Sequence, residues 1–199
     1  LAIDSSDNAY IRLWKFNGGV VSLGSASVTA TTGTWYNLKV EWDTSTGAID
    51  VYFDGATTPT LSVTDETYTS GYVGLKAWVD TAGTGNLDVS FDNLSISATE
   101  VTNRGAQVNR FIDDFDWDSS AEYSGDVDKF TWDTTNGVLK LISDTESAQI
   151  TLNSLKFGGG TYKFKWKPVS ADSDGNCRLS FVFGSQSQDT GIARLTRNK

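Results

Sequence analysis

Hydrophobic and polar positions alternate with period two along almost the whole chain. TYKFKWK (161–167) sets Tyr162, Phe164 and Trp166 on one side and Lys163, Lys165 and Lys167 on the other. That is the pattern of a half-buried antiparallel strand with a wetted lysine face. CRLSFVF (177–183) likewise groups Cys177, Leu179, Phe181 and Phe183. WYNLKVEW (35–42) and AIDVYF (48–53) flank DTSTG, and KFTW and GVLKLI flank DTTNG, so each pair reads as a hairpin. In both turns the Asp can cap backbone amides and the Gly can take positive φ. No stretch sustains a helical period. About a dozen short strands, spaced near ten residues, predict an all-β fold of sandwich or jelly-roll type. The least patterned segment is ATEVTNRGAQVNR (98–110), which is polar, holds a Gly and is the expected linker.

Composition narrows this picture. A length of 199 residues suits one sizeable sandwich or two small domains. Seven Trp, ten Phe and seven Tyr can fill a real core. The net charge of −9 comes mainly from Asp, which favours turns and loop oxygen clusters. Such a surface disfavours nucleic acid and anionic lipid as partners. The single Cys177 allows no internal disulfide and leaves the compartment open. No run of apolar residues is long enough to span a membrane as a helix. A chain without Met that starts at Leu1 is expected either to have lost a leader or to be a piece of something longer.

The order of the segments carries a resemblance. WYNLKVEW (35–42), AIDVYFDG (48–55), GYVGLKAW (71–78) and VSFDNLSI (89–96) together resemble the second half of a concanavalin A-like lectin/glucanase domain, the laminin-G-like members being closest. FIDDFD (111–116) and FTWDTTNGVLKL (130–141) resemble the first half. The resemblance implies a concanavalin A-like jelly-roll sandwich of two antiparallel sheets. It also implies that residues 1–97 form the C-terminal half of a sandwich domain and 111–199 the N-terminal half, in inverted order. Either the chain is a permuted sandwich or it is a window on a tandem array. Shifting by 182 positions matches Ser5, Asp7, Arg12 and Leu13 to Ser187, Asp189, Arg194 and Leu195, and the array is the favoured expectation, with a repeat of roughly that length.

The candidate chemistry is sparse. There is no His, which removes most general-base, triad and zinc arrangements. Cys177, on an apolar-alternating face, is expected to be a buried structural thiol. Glucanase relatives carry paired acids as Glu-x-Asp-x-x-Glu or Glu-x-Asp-x-Glu. Glu occurs here only at 41, 66, 100, 122 and 146, so no enzyme is expected. Calcium fits better, because it takes six to eight oxygens from Asp-rich loops. Asp114, Asp116 and Asp118 alternate along DDFDWD as one side of an extended segment. The resemblance implies that a closing-strand acid, here Asp92, joins Asp114 and Asp116 as ligands of a structural Ca²⁺. In ADSDGN, Asp172, Asp174 and Asn176 read more simply as a hairpin turn.

Sugar binding needs aromatic platforms beside planar hydrogen-bonding groups. Tyr10, Arg12, Trp14 and Phe16 share one side of a strand, and Arg12 among aromatics is unusual for a core face. Tyr10, Arg12, Trp14 and Trp78 are therefore the candidate carbohydrate-binding residues, with core packing the competing role. The sequon Asn93-Leu94-Ser95 lies inside a strand. The lysines of TYKFKWK read as a solvated or edge-protecting face. The first functional expectation is an extracellular or cell-surface structural or adhesive repeat. It would be non-catalytic, calcium-stabilised, and build a fibre, stalk or array through β-strand contacts with copies of itself. The alternative is a carbohydrate-binding, lectin-like module of a surface protein or polysaccharide-degrading enzyme.

Overall fold

The computed structural model describes residues 2–3, 8–17, 19–79, 87–100, 107–143, 147–153, 155–170 and 177–185. The chain is all-β, and its strands pair antiparallel in two sheets. The first sheet runs in the order β10 (Tyr123–Gly125), β13 (Ser147–Leu152), β7 (Tyr72–Val79), β15 (Cys177–Ser185), β1 (Ala2–Ile3), β2 (Asn8–Phe16) and β3 (Val20–Thr29). The second runs β11 (Phe130–Asp133), β12 (Val138–Ser143), β8 (Leu87–Glu100), β14 (Phe157–Ser170), β4 (Tyr36–Asp43), β5 (Ala48–Phe53) and β6 (Leu61–Thr64). A further strand, β9 (Gln107–Asp113), pairs with the later part of β8, past the stretch that β12 occupies. Two short 3-10 turns, Ser120–Glu122 and Val127–Lys129, sit in the connections around β10.

The two halves of the chain are interleaved in both sheets. In the first, β7 lies between β13 and β15; in the second, β14 lies between β8 and β4. The strand holding VSFDNLSIS pairs directly with the strand holding FID, with Leu94 opposite Asp113 and Ile96 opposite Phe111. Of the segment 98–110 expected as a linker, residues 98–100 end β8 and 107–110 begin β9, with Ala98 opposite Asn109. The positions 5, 7, 187, 189, 194 and 195 of the repeat alignment lie outside the described residues, as do Asp172, Asp174 and Asn176. The side chain of Cys177 also lies outside them.

Alternation places the core between the sheets. Tyr162, Phe164 and Trp166 of β14 are buried; the Tyr162 and Phe164 rings meet Phe181 of the facing sheet, and Trp166 meets Tyr36 of its own sheet. Ring centroids of Phe164 and Phe181 lie 5.0 Å apart, those of Tyr162 and Phe181 5.7 Å, and those of Trp42 and Phe183 5.3 Å. Such offset or tilted pairs add to the gain from area burial. Ile11, Leu13, Leu75 and Ile150 complete the core from the first sheet, and Val40, Phe91 and Leu139 from the second.

Both hairpin turns form as their sequences predict. Asp43 Oδ1 accepts the amide and hydroxyl of Ser45 at 2.8 and 2.6 Å, and Gly47 takes φ +71°. In the second turn Asp133 accepts the Asn136 side-chain amide at 2.8 Å, and Gly137 takes φ +62°. Lys140, bound to Asp133, holds that carboxyl down at about 2, with help from Asn136.

The long strands β8 and β14 touch closely at one point. Gly160 packs on Ala98, and a Cβ there would overlap the Ala98 Cα and the Ser97 carbonyl oxygen. Backbone on both sides cannot yield as a side chain would. Gly160→Ala is therefore expected to lower the unfolding free energy by about 2 kcal/mol. Urea denaturation followed by tryptophan emission reads the change.

Candidate functional site

Strand β2 sorts its residues cleanly. Ala9, Ile11 and Leu13 are each fully buried, so the intervening Tyr10, Arg12 and Trp14 stand on the outer face of the first sheet. Register sets a serine beside each: Tyr10 opposite Ser27, Arg12 opposite Ser25, and Trp14 opposite Ser22. The Arg12 guanidinium lies 5.2 Å from the Tyr10 ring centroid, within cation–π range. Arg12, Trp14, Val20, Ser22 and Ser25 line a shallow depression. Core packing, the competing role for these aromatics, is thus filled by their neighbours. Trp78 falls in the same cross-strand row through the chain of partners Trp78–Arg178, Arg178–Ala2 and Ala2–Tyr10. Three strand spacings put its Cα about 14 Å from that of Tyr10; the Trp78 side chain lies outside the described residues.

The expected calcium ligands are arranged differently. The segment 114–119 is not extended, because β9 ends at Asp113 and the buried Phe115 takes φ +57°. Asp114, Asp116 and Asp118 therefore do not share the side of a strand; they stand exposed around a turn. Asp118 is spent on that turn, accepting the Ser120 amide at 3.0 Å, and the Ser120 hydroxyl and amide lower its pKa. Asp92 accepts the Asn93 side-chain amide at 2.7 Å and lies 3.7 Å from Lys165. Burial raises the Asp92 pKa against the pull of Lys165 and Asn93. Among the described residues no group of three or more acidic, His or Cys side chains could hold a metal ion.

One acid escaped the sequence reading. Asp113 is 2% exposed and Ser119 is fully buried. The carboxylate accepts the Phe115 amide at 3.0 Å, the Ser119 hydroxyl at 2.6 Å and the Tyr123 hydroxyl at 2.8 Å. The Trp132 indole N–H donates to Ser119 Oγ at 2.9 Å. This network joins the end of β9 to β10 and β11, and its three donors occupy most of the acceptor sites of the acid. Its chemistry is that of a brace. The signal was present in FIDDF: alternation puts Asp113, between Phe111 and Phe115, on the inward side.

The second sheet carries a groove on its outer face. Asn37 and Lys39 of β4, Tyr52 of β5, Ser95 of β8, and Lys163 and Lys165 of β14 line it, with Gly55 and Ala56 at one rim. It encloses about 830 Å³, part of it open to solvent. Lys39 binds Glu41 at 2.9 Å and lies 3.5 Å from the Tyr52 ring centroid, while the Tyr52 hydroxyl donates to Glu41 at 2.8 Å. Lys39 and Tyr52 lower the Glu41 pKa, and the Glu41 carboxylate pushes Tyr52 up to about 12. Because β14 is flanked by β8 and β4, its lysines protect no edge; Lys163 and Lys165 line a groove at the middle of a sheet, and Lys167 lies over the Trp35 ring. Sequence reading missed this site because its residues come from four strands scattered along the chain.

Comparison with protein-family models found no match, and comparison with curated proteins found none either.

Two expectations follow from the brace and from the buried tyrosines. Asp113→Ala leaves two hydroxyls and an amide without their acceptor, so it is expected to destabilise the fold by about 3 kcal/mol, read by urea denaturation. Burial, followed by the Asp113 charge, raises the Tyr123 pKa well above its ordinary value, and burial likewise raises Tyr162. A raised folded-state pKa contributes stability that is complete below the unfolded value, about 10 for tyrosine, and is lost as pH climbs toward the folded value. Unfolding free energies measured from pH 8 to 11 are expected to be level up to about pH 10 and to fall beyond it. Tyr123→Phe should make that fall shallower.

Proposed function

We propose that this chain is a non-catalytic, glycan-binding β-sandwich module, acting outside the cell or at its surface. The observation that carries the reading is the outward row Tyr10, Arg12 and Trp14, matched one for one with Ser27, Ser25 and Ser22. Sugars present an apolar face for an aromatic ring and hydroxyls for a guanidinium and serines. Ordinary sandwich stability asks for nothing of the kind on a wet face. The shallow form of the depression suits part of a longer chain better than an enclosed small molecule. Tyr10 and Trp14, four residues apart along β2, already span about 14 Å, long enough for several sugar rings, and Trp78 stands across the strands from Tyr10. The interleaving of the two halves within one chain supports a self-contained module over one completed by a neighbour.

A structural repeat is the second reading, and one observation favours it. The edge strand β3 exposes Val20 and Val21, at 62% and 46%, where a strand of another copy could add. Calcium stabilisation through Asp92, Asp114 and Asp116 belongs to that reading and would show as a melting temperature that falls on chelation.

A neutral-glycan panel read by binding isotherms tests the first proposal. At least one neutral oligosaccharide is expected to bind, and Trp14→Ala should weaken it about 10-fold with the fold intact. A panel without a binder, together with concentration-dependent growth in light scattering, would overturn the glycan reading in favour of the structural one.

A further inference from the structure

The groove of the second sheet has a charge that the rest of the molecule does not explain. The protein carries a net charge of −9. Yet the groove is lined by Lys39, Lys163 and Lys165 and by no carboxylate. Two acids at its border, Glu41 and Asp92, are held by Lys39 and Lys165, and Asp54 stands exposed in the turn beside Gly55. Lys163 is exposed and makes no salt bridge within 4.0 Å among the described residues; its charge reaches Glu41, whose pKa it helps to lower, but Glu41 is bound by Lys39.

Register makes the arrangement costly. Lys163 of β14 stands directly opposite Lys39 of β4. Like charges in directly opposed positions destabilise a sheet pair, and a serine or threonine would serve a wet central strand better. On the other flank Lys163 faces Ser95. Neutral hydrogen-bonding groups complete the lining: Asn37, Asn93, Ser95 and the Tyr52 ring. One wall is a fixed turn, in which Asp54, at φ +49°, donates its N–H to the Asn37 carbonyl at 2.7 Å and Ala56 donates to Phe53 at 3.1 Å.

We propose that this groove is a second binding site, distinct from the Tyr10–Trp14 face, and that its ligand is an anionic sugar bearing carboxylate or sulfate groups. An anionic group placed between Lys39 and Lys163 relieves their repulsion and receives charge-assisted hydrogen bonds from both. Lys165 takes a second contact, while the amides and Ser95 meet hydroxyls. A single-stranded DNA backbone fits less well, because it offers phosphates but no free hydroxyls for Asn37, Asn93 and Ser95 to meet. The inference stands on the second sheet alone and does not depend on the neutral-glycan reading.

Polygalacturonate, chondroitin sulfate, neutral dextran and single-stranded DNA are the probes, with binding measured by calorimetry at 20 and 150 mM salt. One of the two anionic glycans is expected to bind, to weaken as salt rises, and to bind at least about 10-fold tighter than dextran or DNA. Polygalacturonate carries carboxylates alone and chondroitin sulfate carries both groups, so binding of polygalacturonate assigns the carboxylate and binding of chondroitin sulfate alone assigns the sulfate. Lys163→Gln should lose about 10-fold or more in that affinity while melting at or above the temperature of the unaltered protein, since a like-charge pair is removed. Trp14→Ala should bind the anionic glycan unchanged, which keeps this site separate from the first sheet's face. The proposal is overturned if neither anionic glycan binds, if DNA binds as tightly, or if Lys163→Gln binds as well as the unaltered protein. A lowered melting temperature for Lys163→Gln would overturn it as well, by giving the lysine a structural reason.

Discussion

The pairing of β8 with β14 is the constraint on which the rest of this fold depends. Each strand is 14 residues long, and they come from opposite halves of the chain. Their ladder runs from Phe157 opposite Glu100 to Ser170 opposite Asp88, with three register irregularities. Each also serves further partners: β8 carries β12 and β9, and β14 carries β4. Sheet order, core and groove therefore share one registration. Period-two geometry makes that registration strict, because a slip of one residue would send Tyr162, Phe164 and Trp166 into water and three lysines into the core. At Gly160 the β8 backbone stands where a side chain would be, and only the absence of a Cβ permits the contact.

A second device closes the end of the sandwich. The chain leaves β9 into a turn that has to pass Phe115 into the core with a left-handed backbone, a conformation costly for a bulky residue. Asp113 holds that turn by gathering an amide and two hydroxyls, and Trp132 adds the final donor through Ser119. A buried carboxylate is tolerable only when it is well hydrogen-bonded, and three donors reach this one. The same residues that look most like a reactive cluster are thus committed to shape.

The two outer faces differ in how they spend their side chains. On the first sheet, an aromatic and guanidinium row is set against serines, a surface with little net charge and planar contact. On the second, ammonium groups crowd a groove whose acids stand at the border. Neither pattern improves packing, since both lie outside the core that the intervening residues fill. A sandwich supports this freedom because each strand devotes alternate positions to stability and leaves the others open to function.

Much of this fold is legible in the sequence. Alternation alone marked the all-β class, the inward Tyr162, Phe164 and Trp166, and the two Asp-to-Gly hairpins, because these depend on local backbone geometry and on neighbours within a few residues. It also grouped Tyr10, Arg12 and Trp14 on one side of a strand, though not which side faced water. That choice was settled by Ala9, Ile11 and Leu13, small or aliphatic residues that fit between the sheets where the larger polar-tipped ones do not. The extended course expected for Asp114 to Asp118 failed because Phe115 is drawn into the core, a long-range gain that outweighs the local preference for a continuing strand. The segment 98–110 looked polar and unpatterned, yet its described ends pair as strands, since backbone hydrogen bonds ask nothing of side-chain polarity. What tertiary structure alone decided is adjacency between distant strands. Lys39 opposite Lys163, Asp92 beside Lys165 and Trp78 in the row of Tyr10 all arise from cross-strand register, which no local pattern encodes. Within the strands, the sequence by itself determined which residues share a face; only the folded sheet decided which face meets water and what each residue stands beside.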